Sequence, residues 1–404
     1  MNTGNGWPRQ RALERWRTEL CESGWLDSCP TEEIAITEAI GRVIARPVPA
    51  RRSVPHYAGS AMDGFAVHAV DTTKAAANHP VFLPLGPVGA ANCQPGQAVP
   101  VDTGDALPIG ADSVVMIEQA TVTADRLEIR SAARPGQHVR QIGEDIETGA
   151  IILPAGKIVG PAELAAAMAA GTDRVAVMAR PRVTVIPTGD EIVDSADALP
   201  AGRIRDINSY MLAALLAGWG ASVRRHPVVP DDLPQLRQAV GAAVAASDLV
   251  VLNAGTSGGA GDFTRKVLDC LGQVVCHGVA IRPGRPVLLA LADGKPVVGL
   301  PGYPVSCLLT ATLFLKELLH EYQRRPLPQR QFVRARLADG FRSRPGAEEF
   351  LRVVLEPGEP LPVARILPKG ASLISTLTQA DGWLRIAAEC SELDEEAVVE
   401  VELF

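Results

Sequence analysis

Leu249-Val-Val-Leu252, the loop Asn253-Ala-Gly-Thr-Ser-Gly-Gly-Ala-Gly-Asp262 and the helical run Phe263 to Leu271 decide the fold of this chain. Four apolar residues closed by a glycine-rich turn read as a buried strand, and the run after them as the helix of a strand-to-helix crossing. The same alternation surrounds the stretch. Val183-Thr-Val-Ile186 reads as a strand, Ser209 to Ala217 as a helix, Ser222 to Val229 as a strand and Leu233 to Ala246 as a helix. Strands alternating with helices at this spacing predict βαβ units and a mostly parallel sheet, an α/β core. Ligands in such sheets bind where the carboxyl ends of strands meet helix N-termini. The loops after Ile186, Leu252 and Leu300 are therefore where chemistry is expected.

Pro296 to Leu315 contains no charged residue, the length at which a membrane span becomes a candidate. Gly299, Pro301, Gly302 and Pro304 interrupt it, so it reads as a strand (Val297 to Leu300), a tight turn and a helix (Val305 to Leu319). Beyond Pro326 the runs Gln331 to Leu337, Phe350 to Leu355 and Ala397 to Phe404 alternate like strands, and a small β domain closes the chain. On the other side, Gln10 to Leu26 and Thr31 to Ala45 carry the charge spacing of helices, with Thr31 as a cap. Proline then breaks the pattern near residue 50. From about 51 to 145 short alternating runs (Gly64 to His68, Asp112 to Glu118, Arg126 to Ile129) lie between glycines, prolines and aspartates, as in a β-rich module. A helix from Pro161 to Ala170 and the run Arg174 to Val177 can pack back on the N-terminal helices, which makes the β module an insertion. The expected division is a helical domain of residues 1–50 and 146–178, with part of 27–45 packed on the α/β domain, a β insertion of 51–145, the α/β domain of 179–326 and a β domain of 327–404.

With 404 residues the chain is too long for one compact core, and a hydrophobic share of 47% against 21% charged excludes a largely disordered one. The net charge of −7 repels nucleic acid and anionic membrane, so any anionic ligand must be held locally. Seven scattered cysteines, none in a C-x-x-C pair, argue against a disulfide framework or a zinc knuckle and for a reducing cytoplasm. Residues 1–14 lack the apolar core of a secretion signal.

In Ile186-Pro-Thr-Gly-Asp-Glu-Ile192, Thr188, Gly189 and Glu191 lie at a strand end; the segment reads as a cation site beside a close backbone approach, or equally as an Asp-capped turn. In the second loop the backbone of Gly255 and Gly258 and the hydroxyls of Thr256 and Ser257 can cradle a phosphate; the other reading is a glycine loop in which Asp262 only caps the helix. Neither G-x-x-x-x-G-K-[ST] nor G-x-G-x-x-G is present. Ala280-Ile-Arg-Pro-Gly-Arg-Pro286 projects Arg282 and Arg285 around a turn, as an oxyanion fork or as two solvated arginines. Gly299-Leu-Pro-Gly-Tyr-Pro-Val-Ser306 puts Gly302 and Ser306 at a helix N-terminus open to an anion, or in a rigid turn. Asp63 in Ser60-Ala-Met-Asp-Gly-Phe65, Thr103 in Thr103-Gly-Asp105 and Asp145 in Gly143-Glu-Asp145 are singly turn residues; beside an anion cradle, carboxylates imply a bridging cation such as magnesium. The seven histidines show no zinc spacing, and no G-x-S-x-G elbow marks a serine hydrolase.

These motifs in this order, together with Thr103-Gly-Asp-Ala-Leu-Pro-Ile-Gly-Ala-Asp-Ser-Val-Val115, Asn208-Ser-Tyr210 and Gly261-Asp-Phe-Thr264, resemble the molybdopterin molybdenumtransferase family, MoeA and the gephyrin E domain. The resemblance runs from about residue 10 to Phe404. It implies a cytoplasmic homodimer with an elongated helical domain, an inserted β domain, a MogA/MoaB-like α/β domain and a C-terminal β-barrel. The implied activity is the last step of molybdenum cofactor synthesis, in which adenylylated molybdopterin and molybdate enter, metal passes to the dithiolene and AMP leaves with the help of magnesium. By motif, Asp63, Thr103 and Asp145 match one wall of the family's site, and Glu191, Asp262 and, less closely, Asp231 the other. Glu191 and Asp262 would hold the cation, and Arg282 would meet molybdate or phosphate. Arg352 matches a family arginine.

The chain departs from the family pattern at His277-Gly278, where a lysine is common, at Tyr303 in a turn that is often Pro-Gly-Asn-Pro, and at Ala371, where serine is usual. The glycine loop reads Asn-Ala-Gly-Thr-Ser in place of Ser-Gly-Gly-Val-Ser. These changes point to a divergent branch with tungstate or another pterin partner as options. A MogA-like adenylyltransferase and a non-catalytic carrier that hands the cofactor to apo-molybdoenzymes are the competing readings. Asp63, Asp145, Glu191 and Asp262 together favour an enzyme.

Overall fold

A computed structural model describes residues 6–194, 199–254 and 263–404. The chain divides into two compact units, one of residues 1–32 with 178–404 and the other of residues 33–177.

In the first unit, helix α1 (Arg9–Glu22) buries Ala12, Trp16 and Leu20, a one-face spacing of four, and the Trp16 indole N–H donates to the Ala290 carbonyl at 3.2 Å. The α/β core follows as β1 (Arg182–Pro187), α2 (Asn208–Gly218), β2 (Ser222–Arg225), α3 (Leu233–Ala246), β3 (Leu249–Asn253), α4 (Phe263–Leu271), β4 (Gln273–His277), β5 (Leu288–Ala292), β6 (Lys295–Leu300) and α5 (Pro304–Tyr322). The strands make one six-stranded sheet in the order β2-β1-β3-β6-β5-β4. β2, β1, β3 and β6 run parallel, while β5 pairs antiparallel with both β6 and β4. Val183, Val185, Ile186 and all of β3 are buried, the continuous apolar pattern of strands covered on both faces. Register aligns Pro187 with Asn253 and Asn253 with Leu300, so the ends of three parallel strands open on one edge.

The C-terminal strands β7 (Phe332–Leu337), β8 (Glu348–Glu356), β9 (Val363–Ile366), β10 (Gly382–Ile386) and β11 (Val398–Leu403) pair in the cycle β8-β9-β7-β11-β10 and back to β8, a closed five-stranded barrel. Its interior is apolar, with Leu351, Val353, Leu384 and Val401 among the buried residues. Closure gives each of the five strands a neighbour on both sides. The short strand Ile281–Arg282 adds to β8 in parallel, Arg282 opposite Glu349.

The second unit holds the expected β-rich segment: three-stranded sheets of Val99–Val101, Gly64–Val67 and Ser113–Met116, and of Val81–Pro84, Arg126–Ile129 and Ala120–Thr123. It also contains the helix Pro161–Ala169. One reading needs correction here. Thr31 to Ala45 forms no helix: Thr31–Ala35 is a strand and Ile36–Glu38 a single 3-10 turn. Backbone partners of this segment are distant, with the N–H of Ile36 on Asp173, of Gly41 on Val159 and of Ile44 on Lys157 at 2.8–2.9 Å, so tertiary pairing outweighs charge spacing. The first helix ends at Glu22, and residues 1–32 group with the α/β core. Within the described residues, no helix is long and apolar enough to cross a membrane.

Candidate active site

The open edge of the α/β sheet carries a cleft of about 560 Å³. Pro187 and Thr188 leave β1, Asn253 and Ala254 leave β3, and Pro301 and Gly302 leave β6 to form its floor. Ile192, Ile204, Ile207, Pro286 and Tyr303 give it apolar walls, a shape and chemistry suited to a flat ring. The cleft lies where the strand-end rule predicts.

Two asparagines fix its floor. Asn253 Nδ2 donates to the Pro301 carbonyl at 3.1 Å, and Asn208 Nδ2, at the start of α2, donates to the Gly302 carbonyl at 2.7 Å. A Cβ on Gly302 would meet the Ala254 Cβ at 3.3 Å, which keeps the position small. Asp206, buried beside Asn208, accepts from the Ser209 N–H at 3.0 Å and from its hydroxyl, and faces Arg225 at 3.6 Å.

At one end stands a carboxylate group. Thr188 Oγ1 donates to Asp231 Oδ1 at 3.3 Å, and Asp190 Oδ1 accepts from the Asp231 N–H at 3.1 Å. Glu191 is exposed and lines the cleft; its carbonyl is held by the Ile204 N–H at 2.8 Å. Gly189, at φ +140°, lets the Glu191 carboxylate fold over it, since a Cβ there would lie 2.8 Å from Glu191 Oε2. Asp232 caps α3 through the Gln235 N–H and leaves Asp231 to the site. Burial, with the charges of Asp190 and Glu191, pushes the Asp231 carboxyl above the usual carboxylate range against the lowering bond from Thr188. Among the described residues, no group of three or more acidic, histidine or cysteine side chains is arranged to hold a metal ion.

A smaller cavity of about 170 Å³ is lined by Arg282, Glu349, Arg352, Lys369 and Ala371. Arg352 is buried, donates from Nη2 to the Pro368 carbonyl at 2.7 Å and has an Nε without a partner among the described residues; burial pushes its guanidinium below the usual range. Arg282 Nη1 donates to the Arg344 carbonyl at 2.6 Å. Lys369 pairs with Glu349 at 3.3 Å and sits 3.9 Å from the Phe341 ring centroid. Three cationic side chains and one carboxylate line this cavity, so its lining carries a net positive charge.

Within the second unit, Thr103 donates both its N–H and its hydroxyl to Asp63 Oδ1, each at 2.7 Å, and these bonds hold the Asp63 carboxyl below its usual range. The Val139–Arg140 strand that leads toward Asp145 pairs with Gly59–Ser60, the strand leading to Asp63. Asp145 is exposed, its N–H bonded to the Val54 carbonyl at 3.1 Å.

Of the residues expected from sequence, Thr188, Gly189, Glu191, Asp231 and Gly302 gather at or beside the cleft, and Arg282 and Arg352 share the smaller cavity. Arg285 gives its carbonyl to the Val279 N–H in the turn, next to Pro286 of the cleft. Ser306 is buried at the start of α5, its carbonyl taken by the Thr310 hydroxyl at 2.7 Å. Gly255, Thr256, Ser257, Gly258 and Asp262 lie outside the described residues. Asn253, Asp206 and Lys369 were not singled out from sequence; the signal for the first two was their place at a strand end and a helix start.

Comparison with known proteins bears on all of these regions. Residues 8–171 match the MoeA N-terminal region (domain I and II), 184–321 a probable molybdopterin binding domain and 334–404 the MoeA C-terminal region (domain IV). Molybdopterin molybdenumtransferase 2 of Mycobacterium tuberculosis is 33% identical over 381 residues, 91% of this chain and 93% of that one. The molybdopterin molybdenumtransferase of a Nostoc species is 35% identical over 301 residues, 72% of this chain and 69% of its own. A crystal structure of the molybdopterin biosynthesis MoeA protein from Pyrococcus horikoshii superposes with a TM-score of 0.82 at 32% identity, covering 98% of both chains.

Proposed function

The chain belongs to the MoeA family of molybdopterin molybdenumtransferases, transferases of molybdenum cofactor biosynthesis, and from that premise we propose that it inserts molybdate-derived molybdenum into adenylylated molybdopterin and releases AMP. The observation that carries the reading is the apolar cleft at three strand ends with the carboxylates of Glu191 and Asp231 at its rim and a separate cationic cavity in the same unit.

The division of labour follows from charge. The cleft takes a flat ring between isoleucine and proline walls and excludes water from it. The cavity of Arg282, Arg352 and Lys369 holds the oxyanion, which the carboxylate-rich rim would repel. Glu191 and, from the sequence reading, Asp262 would hold magnesium, which would neutralise phosphate charge when bound. Glu191, exposed on the cleft, would position that cation or activate the water that opens the phosphoanhydride. The metal-binding sulfurs belong to the substrate, so no covalent enzyme intermediate is invoked. Asp63, Thr103 and Asp145 are assigned to the same reaction by motif, and the working form to a cytoplasmic homodimer.

The test is incubation of the purified protein with adenylylated molybdopterin and magnesium, with molybdate and tungstate in parallel, following AMP release and metal retained on the pterin. Oxyanion-dependent AMP release with insertion is expected. Pterin binding without AMP release would refute the reading in favour of a carrier, and pterin adenylylation from ATP in favour of an adenylyltransferase.

A further inference from the structure

Asn208 Oδ1 is a buried acceptor with no hydrogen-bond partner among the described residues, on a side chain 7% exposed that lines the large cleft. Its orientation is fixed by chemistry. The Gly302 carbonyl only accepts, so the atom 2.7 Å from it is the amide nitrogen, and the amide oxygen projects away from the Pro301–Gly302 turn. An amide oxygen out of water without a donor is costly, and such atoms in folded chains have a reason. Among the described residues no donor meets it, and Asp206 beside it is itself an acceptor already engaged by Ser209.

We propose that Asn208 recognises substrate: its Oδ1 accepts a hydrogen bond from an amino group carried on the heterocycle that fills the cleft. The inference rests on the proposed function for the identity of the ligand, which carries two such rings, an aminopterin and an adenine. Both present an exocyclic amine at the edge of a flat ring, and replacement of that amine by a carbonyl sets two acceptors against each other. Asn208 is thus a specificity residue that reads amino against oxo, while Asn253, through Pro301, holds the floor on which the ring lies.

The experiment measures binding of two ligand pairs to the full-length protein: pterin-6-carboxylate against lumazine-6-carboxylate, and AMP against IMP. Each pair exchanges the amine for a carbonyl. Wild-type protein is expected to prefer the amino member of one pair by tenfold or more, and that pair names the ring in the cleft. Asn208→Leu should bring the preference to within about twofold. Asn208→Asp keeps an acceptor but loses the donor to Gly302, so it should retain the preference; a purely structural role would make Asp and Leu behave alike. No preference in either pair, or an equal preference in wild type and Asn208→Leu, overturns the proposal. AMP release by wild type, measured on the same preparation, separates the two readings. Release without amino preference overturns this inference alone, and amino preference without release supports it while overturning the insertion reaction.

Discussion

Thr103 closes on Asp63 twice, its N–H and its hydroxyl meeting the same carboxylate oxygen at 2.7 Å. A carboxylate that collects two donors is favoured in its charged form, which is why Asp63 lies below the 3.8 of an unperturbed aspartate although it is exposed. Because the folded value is below the unfolded one, the contribution of this group to stability is present above about pH 4 and is lost as pH falls through the folded value. Thr103→Val deletes the hydroxyl and keeps the N–H. The Asp63 titration, followed by carboxyl carbon NMR, should move up toward the ordinary value, and an unmoved titration would show that the hydroxyl bond has no weight in solution.

Asp231 carries the opposite shift. Its carboxyl is raised, so the folded state holds the proton more tightly, and stability falls as pH rises from the unfolded aspartate value through the raised one. Asp231→Asn should therefore melt higher than wild type at neutral pH and equal it near pH 3, while magnesium-dependent activity drops by about tenfold or more. Magnesium should raise the wild-type melting temperature more than that of the variant. A lower melting temperature for Asp231→Asn at pH 7 would contradict the repulsion described here.

Glu191→Gln tests the rim carboxylate as a base. Removal of the charge should lower AMP release by on the order of a hundredfold with an unchanged far-ultraviolet circular dichroism spectrum. Gly189→Ala reaches the same group from below. At φ +140° alanine is strained, and its methyl would stand 2.8 Å from Glu191 Oε2, so a loss of about 1 kcal/mol or more in stability should accompany reduced turnover. Full activity in Glu191→Gln would refute the site assignment, as it would in Asp262→Asn.

In the smaller cavity, Arg352 is a buried cation with an unsatisfied Nε. Replacement by methionine removes the charge and fills similar volume, so Arg352→Met should keep or gain stability in the absence of anions. Its ligand response should be lost. Molybdate at about 100 times its Kd would stabilise wild type by about 2.7 kcal/mol, and the variant by much less at the same concentration. Equal molybdate protection of both proteins would remove Arg352 from the oxyanion site.

The parts of the fold carried by short-range pattern were legible in sequence. Leu233–Ala246 and Phe263–Leu271 are helices over the expected spans, because Asp232 and Pro234 mark a start for the first and apolar spacing defines the second. Thr31 to Ala45 reads as a helix because its glutamates mimic helical charge spacing, while its backbone bonds depend on residues more than a hundred positions away. Strands β4 and β5 went unassigned since Gln273–His277 and Leu288–Ala292 are short apolar runs that become strands only by pairing with each other and with β6. The site shows the same divide. Strand-end loops located Thr188, Glu191 and Gly302, whereas Lys369 enters the Arg282–Arg352 cavity through barrel closure, which no local spacing reveals.

All five tryptophans, at 7, 16, 25, 219 and 383, belong to the unit of residues 1–32 and 178–404, and residues 33–177 contain none. Intrinsic tryptophan emission is therefore a reporter of one unit only, and the β-rich unit can unfold without a signal in it. A melt followed by emission and by far-ultraviolet circular dichroism tests whether the two units lose structure together: coincident curves mean one cooperative transition, and separated curves mean that a destabilising substitution at Asp63 or Thr103 escapes any fluorescence-based stability screen.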